Sequence, residues 1–474
     1  MRAASSEADV GMRKKVLRGG AFLTGRQVIG MAFSLAGVLL VTRVIGPRQY
    51  GLYSVAMGIV AFLCALGTWG LDVYLLRGAE KLDEREFHQA FTLLLCISAV
   101  FLGGLIILSP IIASFVRISG VSRLVVLLAA GIPFNLLAIP AVVKLDRNLN
   151  FKQVAINELA SQASMYVVAI PLAFAGCGAW APASGFLTQQ LVLAGLSYRS
   201  ASYRPSLHWD TTLILKMLKY GLSYSSSTWI WQLRSLVNPF VVGRFAGAEA
   251  VGYVAVSIRI VEVLAFAKIA TWRIAMATLA KMRGDRSRLR NSITEGMRLQ
   301  ALAVGVPLAV FALGAPFLVS FGLGHNWTPA LAVFPFIALG YLSNAMFNLH
   351  CSVLYLLEKN YQVTAFNAVH ILLFAGSATL LVPKLGFRGY GWAEVVALLS
   401  YPVIHVYLAR QVDSPSYGVA GIWFVTVACV LALSSLGPPI LYGGLVLLLL
   451  PFCFPKERAS LMGYTQILFP RICA

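Results

Sequence analysis

Three stretches of this chain contain no aspartate, glutamate, lysine or arginine: Leu159 to Tyr198, Leu299 to Leu357 and Ser414 to Pro455. A hydrocarbon core about 30 Å thick takes roughly 20 apolar helical residues per crossing, so each stretch is about two crossings long. Each has turn residues near its middle: Gly176-Cys177-Gly178, Gly322 to Trp327, and Gly437-Pro438-Pro439. Each therefore predicts a helical hairpin in a membrane, with an uncharged tip. The remaining composition agrees. Of 474 residues, 59% are hydrophobic and 12% charged, and the mean hydropathy is +0.78. An average soluble protein is about 45–50% apolar and about 25% charged, so no sizeable soluble domain fits.

Single apolar runs fill the rest. They predict an all-α polytopic protein with fourteen spans near 19–45, 51–76, 90–116, 121–144, 153–176, 178–198, 213–245, 249–280, 291–321, 327–357, 361–382, 386–410, 417–436 and 438–455. The net charge of +20 would suggest a nucleic-acid partner in a soluble protein. Here 26 of the 38 basic residues fall in segments on one side, from Arg2, Arg13, Lys14 and Lys15 to Lys456, Arg458 and Arg471. Seven lie opposite: Arg43, Arg48, Arg117, Arg123, Arg244, Lys384 and Arg388. By the positive-inside rule both termini are cytoplasmic, the basic excess meets membrane lipids, and no nucleic acid is needed.

Sliding the chain by 201 residues aligns Arg43-Val44-Ile45-Gly46 and Gly51 with Arg244-Phe245-Ala246-Gly247 and Gly252. The same offset pairs Val41 with Val242, Val55 with Val256, Ile59 with Ile260 and Val60 with Val261. At offset 210, Asn150-Phe151, Ala155 and Asn157 match Asn360-Tyr361, Ala365 and Asn367. Six spans separate the copies, so both enter from the same side. That predicts two six-helix lobes, 19–198 and 213–411, related by a pseudo-twofold axis along the membrane normal. A basic tail at 1–18, a linker at 199–212, two accessory spans within 412–455 and a cytoplasmic tail at 456–474 complete the layout. The motif itself reads as a capped hairpin. Arg43 is expected to bond the last carbonyls of the first span, Gly46 to take a left-handed cap, and Gly51 to allow a close approach.

An ionisable side chain deep in a span is costly unless paired or facing water, so each is a functional candidate. The deepest are Arg26, Asp72, Arg234, Arg259, Glu262, Lys268, Arg273 and Glu394. On a helical wheel Arg259, Glu262 and Arg273 share a face, with Lys268 opposite. Ser227, Trp231, Arg234 and Asn238 form a polar and aromatic stripe in span seven. His350, His370 and His405 are far apart in the chain and read as packed core histidines. The seven cysteines lack CxxC spacing and read as buried free thiols. Neither a metal nor another cofactor is expected. The acid-poor outer loops, and the lack of a P-loop, HExxH or nucleophile elbow, argue against an enzyme.

Val41-Thr42-Arg43-Val44-Ile45-Gly46-Pro47-Arg48-Gln49-Tyr50-Gly51-Leu52-Tyr53 resembles the first-hairpin signature of polysaccharide transporters. These are the Wzx-like branch of the multidrug/oligosaccharidyl-lipid/polysaccharide (MOP) exporter superfamily. Leu149-Asn150-Phe151-Lys152-Gln153-Val154-Ala155, with Glu158, is similar to the stretch entering their fifth span. The resemblance implies a flippase of the bacterial inner membrane that moves an undecaprenyl-pyrophosphate-linked oligosaccharide by alternating access. It further implies coupling to H+ or Na+ and cooperation with polysaccharide polymerase machinery. The lipid II flippases and the multidrug/cation antiporters of the same superfamily are the alternatives. A pyrophosphate calls for arginines, whose planar fork grips phosphate oxygens in pairs. Arg26, Arg234, Arg259 and Arg273 are thus the expected headgroup partners, with Trp231, Gln232 and Asn238 (and, more weakly, Trp229) for the sugar. Asp72, Glu262 and Glu394 are the coupling-ion or gating candidates.

Overall fold

The structure, a computed structural model, describes residues 2–77, 84–268, 279, 282, 285–435, 438–453 and 457–458. Among the described residues there are helices and turns but no strand. In chain order the helices are α1 Arg2–Gly67, α2 Leu71–Arg77, α3 Glu84–Val116, α4 Val121–Ala129, α5 Gly131–Arg147, α6 Phe151–Phe174, α7 Trp180–Ala201, α8 Thr211–Gln232 and α9 Gly243–Leu264. They continue with α10 Arg286–Gly322, α11 Phe334–Leu356, α12 Asn360–Leu385, α13 Arg388–Ala397, α14 Tyr401–Ala409, α15 Gly418–Ser434 and α16 Pro438–Leu449. A helix covers at least part of each of the fourteen expected spans. Among the described residues six helical stretches are long and apolar enough to cross a membrane, or seven if the bent pair His325–Ala332 and Phe334–Leu356 (51° apart) is one span. The others are shorter or more polar; α8, for example, carries Lys216 and Lys219.

The chain divides into two compact units, Met1–Gly252 and Tyr253–Ala474. The first therefore takes in all of α8 and the start of α9, whereas the sequence places its lobe linker before span seven. Within this unit α6 packs on α7 and α1, and α8 packs on α2 and α3. In the second unit α10 packs on α11 and α15, and α12 on α13.

The repeated hairpin is visible in the backbone. Gly46 (φ 76°, ψ 170°) interrupts α1, and Gly247 (φ 85°, ψ 177°) interrupts α9 in the same way. This corrects the expected left-handed cap: φ is positive but ψ is extended, a region essentially restricted to glycine. Paired positions also share burial. Val41 and Val242 are 4% and 0% exposed, Val55 and Val256 0% and 2%, and Val60 and Val261 both 0%. The two copies cross at their second glycines. A Cβ on Gly51 would lie 1.7 Å from the Ala248 carbonyl oxygen, and one on Gly252 would lie 2.3 Å from that of Pro47. Ala248 is the repeat mate of Pro47, so the crossing is reciprocal. Arg43 is exposed, and Arg244 reaches beyond its own hairpin: its Nη1 donates to Phe115 O at 2.6 Å, capping α3. The second repeat is preceded by similar turns, one residue out of its sequence register. Before α6, Asn150 N–H bonds Leu145 O (3.0 Å) across Leu149 at φ 54°; before α12, Lys359 N–H bonds Leu354 O (2.8 Å) across Glu358 at φ 62°. Both turns end the preceding helix with a left-handed residue.

The extended segment after α7 runs along α3. Ser206, His208 and Asp210 donate alternate backbone N–H groups to His88 Nδ1 (3.2 Å), Thr92 Oγ1 (3.0 Å) and Gln89 Oε1 (2.7 Å). Asp210 then caps α8 by accepting from Thr212 and Leu213 N–H. Tyr203 stacks between His88 and Tyr198, and its burial there pushes the phenol pKa up. The six described cysteines are free thiols, but Cys96, Cys429 and Cys453 are exposed, correcting the expectation that all are buried.

Candidate functional site

Span seven is not a continuous α-helix. After α8, residues Leu233–Leu236 wind tightly into a 3-10 turn and Asn238–Val242 widen into a π turn. Pro239 explains the break: it has no N–H to give the ladder, and its ring crowds the carbonyl one turn earlier. Irregular backbone at membrane depth is a recurrent place for binding sites. Arg234 sits in the tight turn, half-buried, with its guanidinium 5.6 Å from the Trp231 ring. A cation over an aromatic face gains about 0.5–1 kcal/mol where exposed and about 2 when desolvated. Gln232 ends α8 and is half-buried.

Span two is broken as well. Trp69 (φ 46°) and Gly70 (φ 66°) separate α1 from α2, and the Trp69 carbonyl lies 1.9 Å from where a Cβ on Gly221 would be. Trp69 Nε1–H donates to Leu218 O (3.1 Å), and Trp229 meets Trp69 edge-on at 4.6 Å. Trp229 Nε1 is buried and, among the described residues, has no hydrogen-bond partner, which leaves an indole donor for a ligand acceptor. Asp72 follows the break, as an exposed residue in the first turn of α2. Asn238 is 7% exposed and spends its amide on Val251 O (3.3 Å), bracing the hairpin, so only its buried side-chain oxygen remains without a partner.

The second unit contains a separate polar network. Arg259 Nη1 lies 3.4 Å from Glu262 Oε2, and the Tyr341 hydroxyl donates to Glu262 Oε1 at 3.2 Å. Lys268 Nζ donates to Asn344 Oδ1 and stands 5.9 Å from the Tyr341 ring. The wheel expectation for Lys268 fails because α9 ends at Leu264. Ala265 and Phe266 form a turn (Phe266 N–H to Val263 O), and Lys268 N–H bonds Ala265 O. Tyr341 and Asn344, three apart on α11, were missed by reasoning that followed charge alone; their shared helix face in a charge-free stretch was the available signal. Among the described residues the network brings together two cations, Arg259 and Lys268, and the carboxylate of Glu262. The Arg259 and Glu262 side chains are 38% and 43% exposed, so their pairing is worth only about 0–1 kcal/mol and opens readily to a competing anion.

Glu394 is 1% exposed and packed against Gly340, where a Cβ would lie 2.9 Å from its Oε2. It is a buried packing neighbour of α11. Of the remaining arginines, Arg26 lies on α1 with its side chain outside the described residues, and Arg273 is outside them altogether. Among the described residues no group of three His, Cys, Asp or Glu could hold a metal.

These features define a multi-pass membrane protein with broken, polar spans. Residues 40–332 match the family described as Polysaccharide biosynthesis protein, and the chain belongs to it. It is 24% identical over 327 residues to the succinoglycan biosynthesis transport protein ExoT of Rhizobium meliloti (strain 1021), covering 68% of this chain and 65% of ExoT. It is 22% identical over 291 residues to the lipopolysaccharide biosynthesis protein WzxC of Escherichia coli (strain K12), covering 59% and 57%. The matches thus span less than two thirds of those relatives' own lengths. The structure of the lipid II flippase MurJ in its inward closed conformation superposes with a TM-score of 0.72 at 12% identity, covering 97% of this chain and 100% of MurJ. That likeness establishes a shared fold.

Proposed function

We propose that this chain is a flippase that carries a polyprenyl-pyrophosphate-linked oligosaccharide across the cytoplasmic membrane by alternating access. The cargo is an O-antigen, capsule or exopolysaccharide repeat unit, and the motion draws on a gradient of H+ or Na+. Both termini lie in the cytoplasm, and the lobes 19–198 and 213–411 are the moving parts. The observation that carries this reading is Arg234 on its broken span beside Trp231. A pyrophosphate leaving water needs a cation to replace its hydration, and a sugar needs an aromatic face. Arg259 and Lys268 supply a second cationic station, with Arg26 and Arg273 as further partners of the headgroup. The names of ExoT and WzxC, both proteins of polysaccharide biosynthesis, support the same cargo class. An antiporter for cationic drugs is less well supported, because Glu262 is engaged by Arg259 and Tyr341 and Glu394 is packed in a core.

Deletion of the gene tests the reading in cells. Lipid-linked repeat units should accumulate on the cytoplasmic leaflet and surface polysaccharide should fall. Unchanged polysaccharide with reduced dye efflux would instead establish the drug-export alternative.

A further inference from the structure

His350 and His405, 55 residues apart in the chain, meet on one phenol. His350 Nε2 is 2.7 Å from the Tyr417 hydroxyl oxygen and His405 Nδ1 is 2.6 Å from the same atom, with the two imidazoles 6.2 Å apart. The three groups come from three elements: α11, α14 and the residue just before α15. His350 is fully buried and His405 half-buried. A single hydroxyl has one hydrogen, so it can donate to only one ring and must accept from the other.

The surroundings decide the direction. His350 Nδ1 is buried and has no hydrogen-bond partner among the described residues. A proton there would be a buried orphan donor, the less tolerated kind of unsatisfied group. His350 is therefore protonated on Nε2 and donates to Tyr417, whose hydroxyl in turn donates to His405 Nδ1. The chain of donors ends on a histidine that reaches the protein's edge. Two ring nitrogens in the cluster carry lone pairs, His350 Nδ1 and His405 Nδ1; the first is fully buried, and His405 is half-buried, so an added proton goes to His405 at the least desolvation cost. Among the described residues no carboxylate hydrogen-bonds to any of the three groups. Phe347 stands 4.8 Å from the His350 ring, and Ile293, Met297, Leu349, Val353 and Leu408 form the apolar cluster on which Tyr417 packs. From α10, Arg290 Nε donates to Ser414 O (3.0 Å), and the paired Glu295 and Arg298 stand beside Met297 of the cluster. The connecting loop carries Arg410 and Asp413, and Tyr401 is the other phenol beside Phe347.

We infer that the His350–Tyr417–His405 cluster is a proton-binding site, with His405 as the loading position and Tyr417 as the reporter of its state. A proton arriving on His405 Nδ1 makes that nitrogen a donor. The Tyr417 oxygen then receives N–H from both rings, and its own hydrogen must turn away from α14. Loading thus changes how the start of α15 is tied to α11 and α14. As the coupling-ion site of the flippase, a role that rests on the transport reading above, it supplies a proton-binding group beside the carboxylates Asp72, Glu262 and Glu394.

Infrared difference spectroscopy of the purified full chain, stepped between pH 8 and pH 5, tests the site with protons alone as the probe. The wild type should show an imidazole band and a tyrosine C–O band changing together. Tyr417→Phe should lose the tyrosine band and keep the imidazole signal. His405→Gln should lose the tyrosine band and the His405 share of the imidazole signal, read by difference against the wild type with its five other histidines, while eluting as a folded protein. A tyrosine band that persists in His405→Gln, or an imidazole signal unchanged by that substitution, overturns the site. Flipping of extracted lipid-linked oligosaccharide in proteoliposomes with an imposed pH gradient tests the coupling separately. Gradient-driven flipping lost in His405→Gln supports both claims. Spectral changes with gradient-independent flipping keep the proton site and overturn the coupling role.

Discussion

Replacing Gly51 with alanine puts a methyl group 1.7 Å from the Ala248 carbonyl oxygen and 3.0 Å from Gly252 N. Non-bonded heavy atoms settle at about 3.5 Å, so the two backbones must part by about 1.5–2 Å at a crossing that is buried on both sides. Overpacking costs about 1–3 kcal/mol when side chains can give way. Here the obstacle is main chain, which puts the expected loss near 3 kcal/mol. At about 2–4 °C per kcal/mol for units of this size, the melting midpoint falls by about 6–12 °C. Gly252→Ala, whose methyl meets Pro47 O at 2.3 Å, acts on the same crossing. Once one methyl has opened it the second has less to displace, so the double variant loses less than the sum of the singles. Gly103→Ala, in α3 with nothing within 4 Å, is the control and should gain about 1 kcal/mol in helix propensity. Tryptophan-fluorescence melting of detergent-purified protein reads all four. A Gly51→Ala protein that melts with the wild type, or a strictly additive double, refutes the reciprocal crossing.

Arg298 and Glu457 form a buried ion pair, 7% and 2% exposed, so Glu457→Ala should destabilise by about 3–5 kcal/mol. Arg298→Met with Glu457→Met should recover most of that loss in the same melting assay. Asp210→Ala removes two accepted N–H bonds at the start of α8 and should cost about 1 kcal/mol. Hydrogen exchange should rise at Thr212 and Leu213 while α3 stays protected. Asp285 caps α10, and its bond from Arg288 N–H, helped by the Ser287 hydroxyl, holds its pKa below the usual 3.8. A depressed carboxyl stabilises above its unfolded value, and that contribution is lost as pH falls through the folded one. Protection of the first turn of α10 should therefore drop below about pH 4, and Asp285→Asn, which caps without ionising, should flatten the step.

The spans were legible because a membrane crossing needs a long apolar run, and the positions read from charge-free stretches are where the helices lie. The repeat was legible because its glycines are required by the backbone: Gly46 and Gly247 share a conformation closed to other residues, and Gly51 and Gly252 share a crossing. Other features depend on contacts between distant segments. Nothing near Lys268 announces that α9 stops at Leu264, so a wheel extended through it points the side chain the wrong way. Arg298 looked like one more cytoplasmic cation, yet its partner Glu457 lies far along the chain. His350 and His405 were separated by sequence and joined by Tyr417, a residue with no charge to draw notice. Pro239 was visible beside Arg234, but the 3-10 and π turns around it appear only once the neighbouring helices are in place.

Flipping by the reconstituted protein tests the central claim most directly. Proteoliposomes holding a fluorescent polyprenyl-pyrophosphate oligosaccharide are compared for the wild type, Arg234→Ala and Arg234→Lys, with reagent added outside to quench probe on the outer leaflet. The account predicts protein-dependent translocation by the wild type, loss in Arg234→Ala at unchanged melting temperature, and partial retention in Arg234→Lys, which keeps the charge without the fork. Wild-type rates in Arg234→Ala would contradict the headgroup assignment, and no translocation above empty vesicles by any folded form would contradict the flippase itself.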